Sequence, residues 1–290
     1  MLYLLSAFST LALAEEPTFL GAAAVPPAPP DKPVTHLSAA LGGTLTTGNA
    51  ESLAVNAGIT AEHKWDKNAV GLVGGAAVGK GAVDANADGF LTDAERCIGV
   101  KGRECADTAE RYALDLRYDR YVSEKSSVYV LAGALHDKFA GFELRSHAQL
   151  GVAEHVVSTD TTRIKVEAGA DFANEAYVPG VVPASTRLLA VQIEADAAYQ
   201  FNPNVGFSDA VTVYEPVLTQ PDGTPFAPHF TDVRVTNVAT LNAKMTDKLS
   251  ISVVDTLGWR NEPVAPPVGV KGERAHVDNT ATIALVAALL

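Results

Sequence analysis

The chain has 290 residues, a length that suits one large domain or two small ones, with 47% hydrophobic residues, only 19% charged residues and a formal net charge of −12. This acidic balance excludes a nucleic-acid partner, because phosphate binding requires basic patches that the sequence does not contain. Beyond the N-terminus no run of about 18 apolar residues occurs, so a transmembrane helix is excluded as well.

The first 14 residues are largely apolar and end in Ala12-Leu13-Ala14, the A-x-A pattern that precedes a cleavage site, and two glutamates follow. This pattern predicts a secretory signal peptide over residues 1–14. A buried N-terminal helix is the alternative interpretation. The positively charged start that such peptides usually have is missing, which leaves open a start codon further upstream.

The next segment, residues 15–34, reads EEPTFLGAAAVPPAPPDKPV and is rich in Pro and Ala. This composition is typical of a semi-rigid linker rather than of regular structure. We therefore expect a Pro/Ala-rich periplasmic linker between the signal peptide and the folded part of the chain.

From Thr35 onward, segments of about ten residues alternate apolar and polar side chains, the period of a β-strand with two unlike faces. In residues 110–121, Leu114 and Leu116 share one face, whereas Asp115 and Arg117 share the other. As helices these segments would spread charges around the whole cylinder. The predicted strands are 35–48, 51–65, 68–79, 108–121, 126–137, 142–157, 161–173, 186–201, 205–217, 229–245, 248–261 and 274–290.

The connections between these strands alternate in length: short polar turns at 66–68, 123–126, 158–161, 202–204 and 246–248, and mostly longer links at 80–107, 138–141, 174–185, 218–228 and 262–273. Outer-membrane barrels sort their connections in this way, with short periplasmic turns and longer extracellular loops. A soluble sandwich has no reason to do so, and a water-soluble barrel would not place charges inside and Leu, Val and Tyr outside. The prediction is an all-β fold, a transmembrane up-and-down antiparallel β-barrel of about twelve strands over residues 35–290, in the lipid bilayer of the bacterial outer membrane.

The polar face of the strands supplies the side chains of the barrel interior. Both signs of charge occur there, whereas a selective pore usually shows a bias toward one sign. Mixed signs indicate ion pairs that fill a narrow lumen, since small barrels are filled by side chains and only wider ones leave open channels. The residues predicted to face the lumen are Arg111, Asp115, Arg117, Asp119, Lys165, Glu167, Asp171, Glu194 and Asp196.

The insertion at 80–107 contains DANADGFLTDAE, which fits the calcium loop of an EF-hand at every specified position, although the two flanking helices are absent. A merely acidic, solvated loop is the alternative. The order of connections places this insertion on the extracellular side, where weak calcium binding suffices. The predicted Ca²⁺ ligands are Asp84, Asn86, Asp88, Phe90 through its carbonyl, Thr92 and Glu95.

The two cysteines of the chain, Cys97 and Cys105, lie close together in the same polar insertion. In an exported protein this spacing predicts a disulfide that closes a small loop. A two-cysteine metal site is the weaker interpretation, because no His or further Cys lies nearby.

The chain resembles the YdiY-like family of salt-induced outer-membrane proteins in three stretches: TTGNAESLAVNAG, AERYALDLRYDRYVSEKSSVYVLAGALHDKFAGFELRSHAQLGVAEHVV and KMTDKLSISVVDTLGWRNEPVAPPVGVKGERAHVDNTATIALVAAL. The resemblance implies an outer-membrane β-barrel over roughly residues 35–290, apart from the insertion, and supplies no catalytic residue. Strands of such barrels usually finish in an aromatic residue that the barrel-assembly machinery reads, whereas this chain ends in IALVAALL.

No enzyme is predicted, because none of the histidines in or beside the predicted strands falls in a recognisable Ser/His motif. The expected function is that of an outer-membrane barrel, structural or narrowly conducting, with a calcium-binding extracellular loop. A barrel that binds a ligand or an unknown extracellular partner through its long loops is the alternative, and an outer-membrane hydrolase is the third hypothesis.

Overall fold

A computed structural model describes residues 33–46, 52–82, 96–265, 268 and 276–289. The predicted signal peptide, nearly all of the predicted linker and the entire calcium motif at 84–95 lie outside these residues. None of the described residues forms a helix long and apolar enough to cross a membrane.

Twelve long strands and one strand of two residues make up the described part of the chain. They are β1 (Val34–Thr46), β2 (Ser52–Trp65), β3 (Asn68–Gly81), β4 (Ala106–Tyr121), β5 (Ser126–Asp137), β6 (Phe142–Ser158), β7 (Thr162–Tyr177), β8 (Ser185–Asn202), β9 (Val205–Pro221), β10 (Ala227–Pro228), β11 (Arg234–Lys244), β12 (Leu249–Arg260) and β13 (Val277–Ala288).

Each long strand pairs antiparallel with the next one, and the last strand returns to the first. The pairing of β13 with β1 runs from Ser38 opposite Ala288 to Gly42 opposite Ala284. The two-residue strand β10 pairs with the end of β9. The wall continues from β9 to β11, which pairs with the first half of β9. The sheet is therefore a closed up-and-down barrel of twelve strands, which confirms the predicted fold.

The region between β9 and β11 differs from the prediction. The strand expected to begin at residue 229 begins at Arg234, and β9 extends to Pro221. Pro228 has no N–H to donate to a further sheet neighbour. Asp232 accepts hydrogen bonds from the side chains of Arg234 and Arg260, so this segment satisfies its polar groups through side chains instead of a strand ladder.

The connections lie at two ends of the barrel. The turns at residues 66–67, 122–125, 159–161, 203–204 and 245–248 lie at the short-turn end. At the opposite end, the long-loop end, the chain leaves one strand and enters the next between β1 and β2, β3 and β4, β5 and β6, β7 and β8, β9 and β11, and β12 and β13. All but one of the links at the long-loop end exceed four residues, the exception being 138–141. This sorting is the one that outer-membrane barrels show.

The outer face of the wall is apolar and the inner face is polar. Leu116, Val166 and Ile193 point outward and are 52%, 38% and 53% exposed, whereas Glu167, the neighbour of Val166, is 4% exposed inside the barrel. Water would drive Leu, Val and Ile inward and charges outward, so this distribution requires a lipid environment. The protein is a transmembrane β-barrel of the outer-membrane type.

A charge on the lipid-facing surface is expected to destabilise the barrel. Leu116 lies between Leu72 of β3 and Ala132 of β5 on the outer face, with apolar neighbours on both sides. Leu116→Arg should therefore lower the free energy of unfolding by about 2–4 kcal/mol in lipid vesicles, as measured by urea titration. The matched control is Val122→Arg in the turn after β4, which is already 62% exposed and should change stability little. Equal stability of both variants would contradict the assigned face.

Candidate functional site: the charged interior of the barrel

The structure places all of the sequence-predicted lumen residues on the inner face of the wall. They lie on β4, β7 and β8, where every second side chain points inward. Some are buried and the others are half-buried. The buried ones are Arg111, Lys165, Glu167 and Asp171, and the half-buried ones are Asp115, Arg117, Asp119, Glu194 and Asp196.

The short-turn network is a group of ion pairs that links β4, β7 and β8. The guanidinium of Arg117 donates two hydrogen bonds of 2.8 Å to the carboxylate of Asp119 and one of 2.7 Å to Glu167. The ammonium of Lys165 contacts Glu167 and lies 2.8 Å from the carboxylate of Asp196. Two cations therefore meet these three carboxylates, and the network has an excess of negative charge.

Three carboxylates of this region are close enough to share a cation. Oxygen atoms of Glu167, Glu194 and Asp196 lie within 4.8 Å of one another. The ammonium of Lys165 lies 3.7 Å from Glu194 and contacts the other two carboxylates. The place that a metal ion would take is therefore held by the Lys165 ammonium.

Tyr129 lies flat against the inner wall because two neighbouring strands carry glycine beneath it. A Cβ added to Gly151 of β6 would come within 2.5 Å of the Tyr129 ring, and one added to Gly169 of β7 within 2.8 Å of its hydroxyl. The guanidinium carbon of Arg117 lies 4.0 Å from the ring centroid, which is a cation–π contact. The two glycines thus leave the space in which Tyr129 supports Arg117.

Between the two ends, His147 connects carboxylates from two strands. Its Nε2 lies 3.1 Å from Asp115 of β4, and its Nδ1 lies 3.3 Å from Asp171 of β7. Asp171 also accepts a hydrogen bond of 2.9 Å from the hydroxyl of Tyr214. Both ring nitrogens of His147 therefore face acids, which is not the arrangement of a nucleophile–histidine–acid triad.

His229 was the histidine predicted at a strand start, and it lies in the 222–233 loop. Its Nε2 is 3.0 Å from Glu262 and 3.4 Å from the hydroxyl of Thr231. A triad needs the acid and the nucleophile on different ring nitrogens, and here both approach the same one. The absence of enzymatic activity stays a prediction.

The long-loop network is a second group of ion pairs, at the other end of the lumen. Arg234 donates to Glu175 at 2.8 Å and to Asp232 at 2.6 Å, and Arg260 donates to Asp232 at 2.7 Å. Arg145 lies 3.6 Å from Glu175. Three cations and two carboxylates meet here, so this end has the opposite balance of charge to the short-turn network.

Sequence reasoning had not selected several of these side chains. Glu175 lies beyond the predicted end of its strand, and Asp232 lies in a stretch predicted to be strand. Tyr129 and Tyr214 are in phase with the inward residues of β5 and β9. Alternation could have found the tyrosines, whereas the loop contacts of Asp232 leave no signal in the sequence.

The lumen has two unlike walls. The charged wall consists of β4 to β9 and carries the side chains described above. The small-residue wall consists of β11 to β13 and β1 to β3, whose buried inward residues are mostly short, apart from Lys64 and Arg234. They are Ala40, Ala54, Asn56, Ala69, Ala77, Val238, Thr240, Ser252, Val254, Thr256, Thr280 and Ala284.

An apolar cap closes over the long-loop end. Phe142, at the start of β6, packs with Val181 of the β7–β8 loop and Val264 of the β12–β13 loop. The rings of Phe142 and Tyr177 lie 5.8 Å apart. The backbone N–H of Val268 also donates to the carbonyl of Gly180. Because β12 and β13 lie across the barrel from β6 and β7, these contacts span the mouth.

The short-turn end contains a cavity of about 420 Å³. Its lining includes Arg163, Asn242 and the hydroxyls of Ser38, Ser208 and Ser250, all of which lie on inward positions. Polar side chains therefore line open space at this end of the lumen.

The loops outside the membrane carry ion pairs and the disulfide. Lys138 donates to Glu110 at 3.1 Å and to Asp107 at 3.5 Å, and the hydrogen bond with Glu110 raises the pKa of Lys138. In the β3–β4 loop Cys97 and Cys105 form a disulfide. The six predicted calcium ligands precede Cys97 and lie outside the described residues.

The glycine beneath Tyr129 provides a test of this packing. Gly151→Ala should displace the ring and its contact with Arg117, and overpacking of this kind costs about 1–3 kcal/mol. The control is Gly71→Ala in β3, where an added Cβ meets nothing within 4 Å. We expect the first variant alone to lose stability in a denaturant titration in vesicles. Equal stability of the two variants would show that the ring does not depend on Gly151.

Comparison with solved structures gives several matches of low identity. The NanC porin has a TM-score of 0.47 at 11% identity, with 87% of this chain and 100% of that chain covered. An outer membrane channel from Pseudomonas putida F1 has a TM-score of 0.49 at 10% identity, with 90% and 96% covered. The KdgM porin, solved in complex with disordered oligogalacturonate, has a TM-score of 0.38 at 6% identity, with 88% and 98% covered.

Comparison with curated protein sequences gives no match. A family model does match, over residues 39–288, and this range contains all twelve strands of the barrel wall in whole or in part. The match agrees with the resemblance found in the sequence. The chain belongs to the DUF481 family, which is described as a family of proteins of unknown function.

Proposed function

We propose that this protein is an outer-membrane barrel with a filled interior, which is structural or at most narrowly conducting. The observation that carries the proposal is the burial of short side chains on the small-residue wall. Thr240, Ser252 and Ala284 are 1%, 2% and 3% exposed. A short side chain on the wall of a wide water column would be exposed, so other side chains cover these positions.

The charges of the lumen support the same proposal. Arg117, Glu167 and Lys165 are committed to one another in the short-turn network, and Arg234 and Glu175 in the long-loop network. A pore that selects ions by charge usually presents one sign to the passing solute. Cationic and anionic side chains in contact largely cancel each other's electrostatic potential, so little of it acts on a permeating ion. Insertion by the barrel-assembly machinery is part of this proposal.

Planar-bilayer recording tests the filled interior. The purified full-length protein should give no conductance steps of the size expected for an open water-filled barrel of this diameter. A double variant, Arg145→Ser with Arg234→Ser, shortens two long side chains in the long-loop network and should open measurable conductance. Ile193→Ser, which changes only the outer face, is the control. Large steps in the wild-type protein would overturn the proposal.

We also propose that the β3–β4 loop binds Ca²⁺ on the extracellular side, with a structural or partner-binding role. The motif is followed directly by the Cys97–Cys105 disulfide, which can anchor the loop in place of the missing helices. Asp84, Asn86 and Asp88 would supply side-chain oxygens, and Glu95 would close the site with two oxygens. β3 ends and β4 begins at the long-loop end, which we take to be the extracellular side because the longer loops of outer-membrane barrels lie there.

Calorimetric titration of calcium tests this second proposal. We expect binding to the wild-type barrel with a dissociation constant of about 10⁻⁴–10⁻³ M, the range of extracellular calcium modules. Glu95→Gln should abolish the heat, because it removes the bidentate ligand. Glu104→Gln removes an acid of the disulfide loop that is not part of the motif, and it should bind as the wild type does. Equal heats for the wild type and Glu95→Gln would leave only an acidic loop.

A further inference from the structure

The outer face of the barrel carries a row of residues that does not fit a lipid-facing surface. Residues directly opposite each other on β8, β9, β11, β12 and β13 are Ala197, Asp209, Ala239, Asp255 and Ala281. Two carboxylates thus alternate with three alanines across five strands. We call these strands' outer surface the acidic face.

Both aspartates point outward by the alternation of their own strands. Asp255 is exposed and lies between Val253 and Leu257, which are 41% and 40% exposed on the same face of β12. The residues on either side of it in sequence, Val254 and Thr256, are buried in the lumen. Asp255 is also near the middle of its strand, so no nearby turn brings it to the water.

Some of the polar side chains on the acidic face have hydrogen-bond partners and others have none. The Asn237 side chain of β11 donates to Asp209 at 2.8 Å and to the carbonyl of Ala210 at 3.2 Å. Asp255 and Asn279 have no hydrogen-bond or ion-pair partner within the part of the chain that the structure describes. The Asn279 amide can therefore still donate, and the Asp255 carboxylate can still accept, on this surface.

Ionisable groups in a membrane almost always face a protein interior or pair with another group. Charges on the lipid face of a barrel are destabilising in proportion to their depth. The acidic face breaks this rule at Asp209 and Asp255, whereas the outer face of β5 presents Val128, Val130 and Ala132. The simplest physical reason is that lipid does not cover the acidic face.

We propose that the acidic face is the contact surface for a second copy of this chain, in a two-fold symmetric dimer within the outer membrane. The face carries carboxylate acceptors and amide donors together, so it is self-complementary and suits an isologous contact. A two-fold axis along the membrane normal can bring the Asn279 amide of each barrel to the Asp255 carboxylate of the other. The alanines of the row let the two walls approach closely, as small residues do between membrane helices.

A partner of another kind would need a surface rich in cations or donors alone to match two carboxylates. The second copy needs no such surface, because each face supplies both halves of the hydrogen bonds. Interfacial hydrogen bonds also remove the open donor and acceptor from lipid in both copies at once. Because both copies lose an unpaired polar group in the same contact, a second copy of this chain fits the acidic face better than a different protein does.

Cysteine cross-linking in the outer membrane tests the geometry. Ala239→Cys, in the middle of the row, should give a product of twice the chain mass when an oxidant is added to intact membranes. Ala132→Cys lies on the outer face of β5, on the side of the barrel opposite the acidic face, and should give none. Equal cross-linking of the two variants would overturn the proposal, as would cross-linking of Ala239→Cys to a protein of another mass.

Substitution of the polar groups tests their role. In native mass spectrometry from lipid nanodiscs we expect wild-type dimers, and at least about tenfold weaker association for Asp209→Leu with Asp255→Leu. Asp255→Asn keeps a hydrogen-bonding side chain and should still dimerise, and Ala132→Leu on β5 should behave as the wild type. The heat-induced shift in gel mobility verifies that each variant is folded. A monomeric wild type, or a double leucine variant that dimerises as well as the wild type, would overturn the proposal.

Discussion

The pairing of β13 with β1 is the constraint on which the rest of this structure depends. Hydrocarbon offers no partner to a backbone N–H or carbonyl, so a sheet in a membrane must have no free edge. Closure makes every long strand a neighbour of two others. It also gives the wall two faces with opposite solvents, and the period of the strand then assigns each residue to lipid or to the lumen.

The two walls of the lumen differ in the length of the side chains that they carry. The charged wall supplies long side chains, and the small-residue wall supplies short ones opposite them. Glycines make space for a single large side chain in the same way, because Gly151 and Gly169 let Tyr129 lie across two neighbouring strands. Packing and ion pairing in the lumen therefore depend on each other, because each guanidinium needs both a carboxylate within hydrogen-bond distance and enough space for its side chain.

The sequence was sufficient for the wall and insufficient for its interior contacts. Alternation in residues 110–121 correctly separated Leu116 from Arg117, because the period of a strand is a local property. The partnership of Arg234 with Glu175 joins residues on β11 and β7, and it depends on register and barrel closure, which no local pattern contains. The start of β11 was wrong because the contacts of Asp232 with two arginines come from outside its own segment. The alternation of SVVDTLGW does place Asp255 on the same face as Val253 and Leu257, so the sequence alone indicates an acid on the apolar face.

The apolar cap at the long-loop end and the cavity at the short-turn end make the two ends of the lumen different. At the long-loop end, the side chains of Phe142, Val181 and Val264 come from three different segments of the chain and pack against one another. At the short-turn end, a cavity has the guanidinium of Arg163 in its lining. Apolar packing therefore joins the long loops to the wall, whereas polar groups line the space beside the short turns.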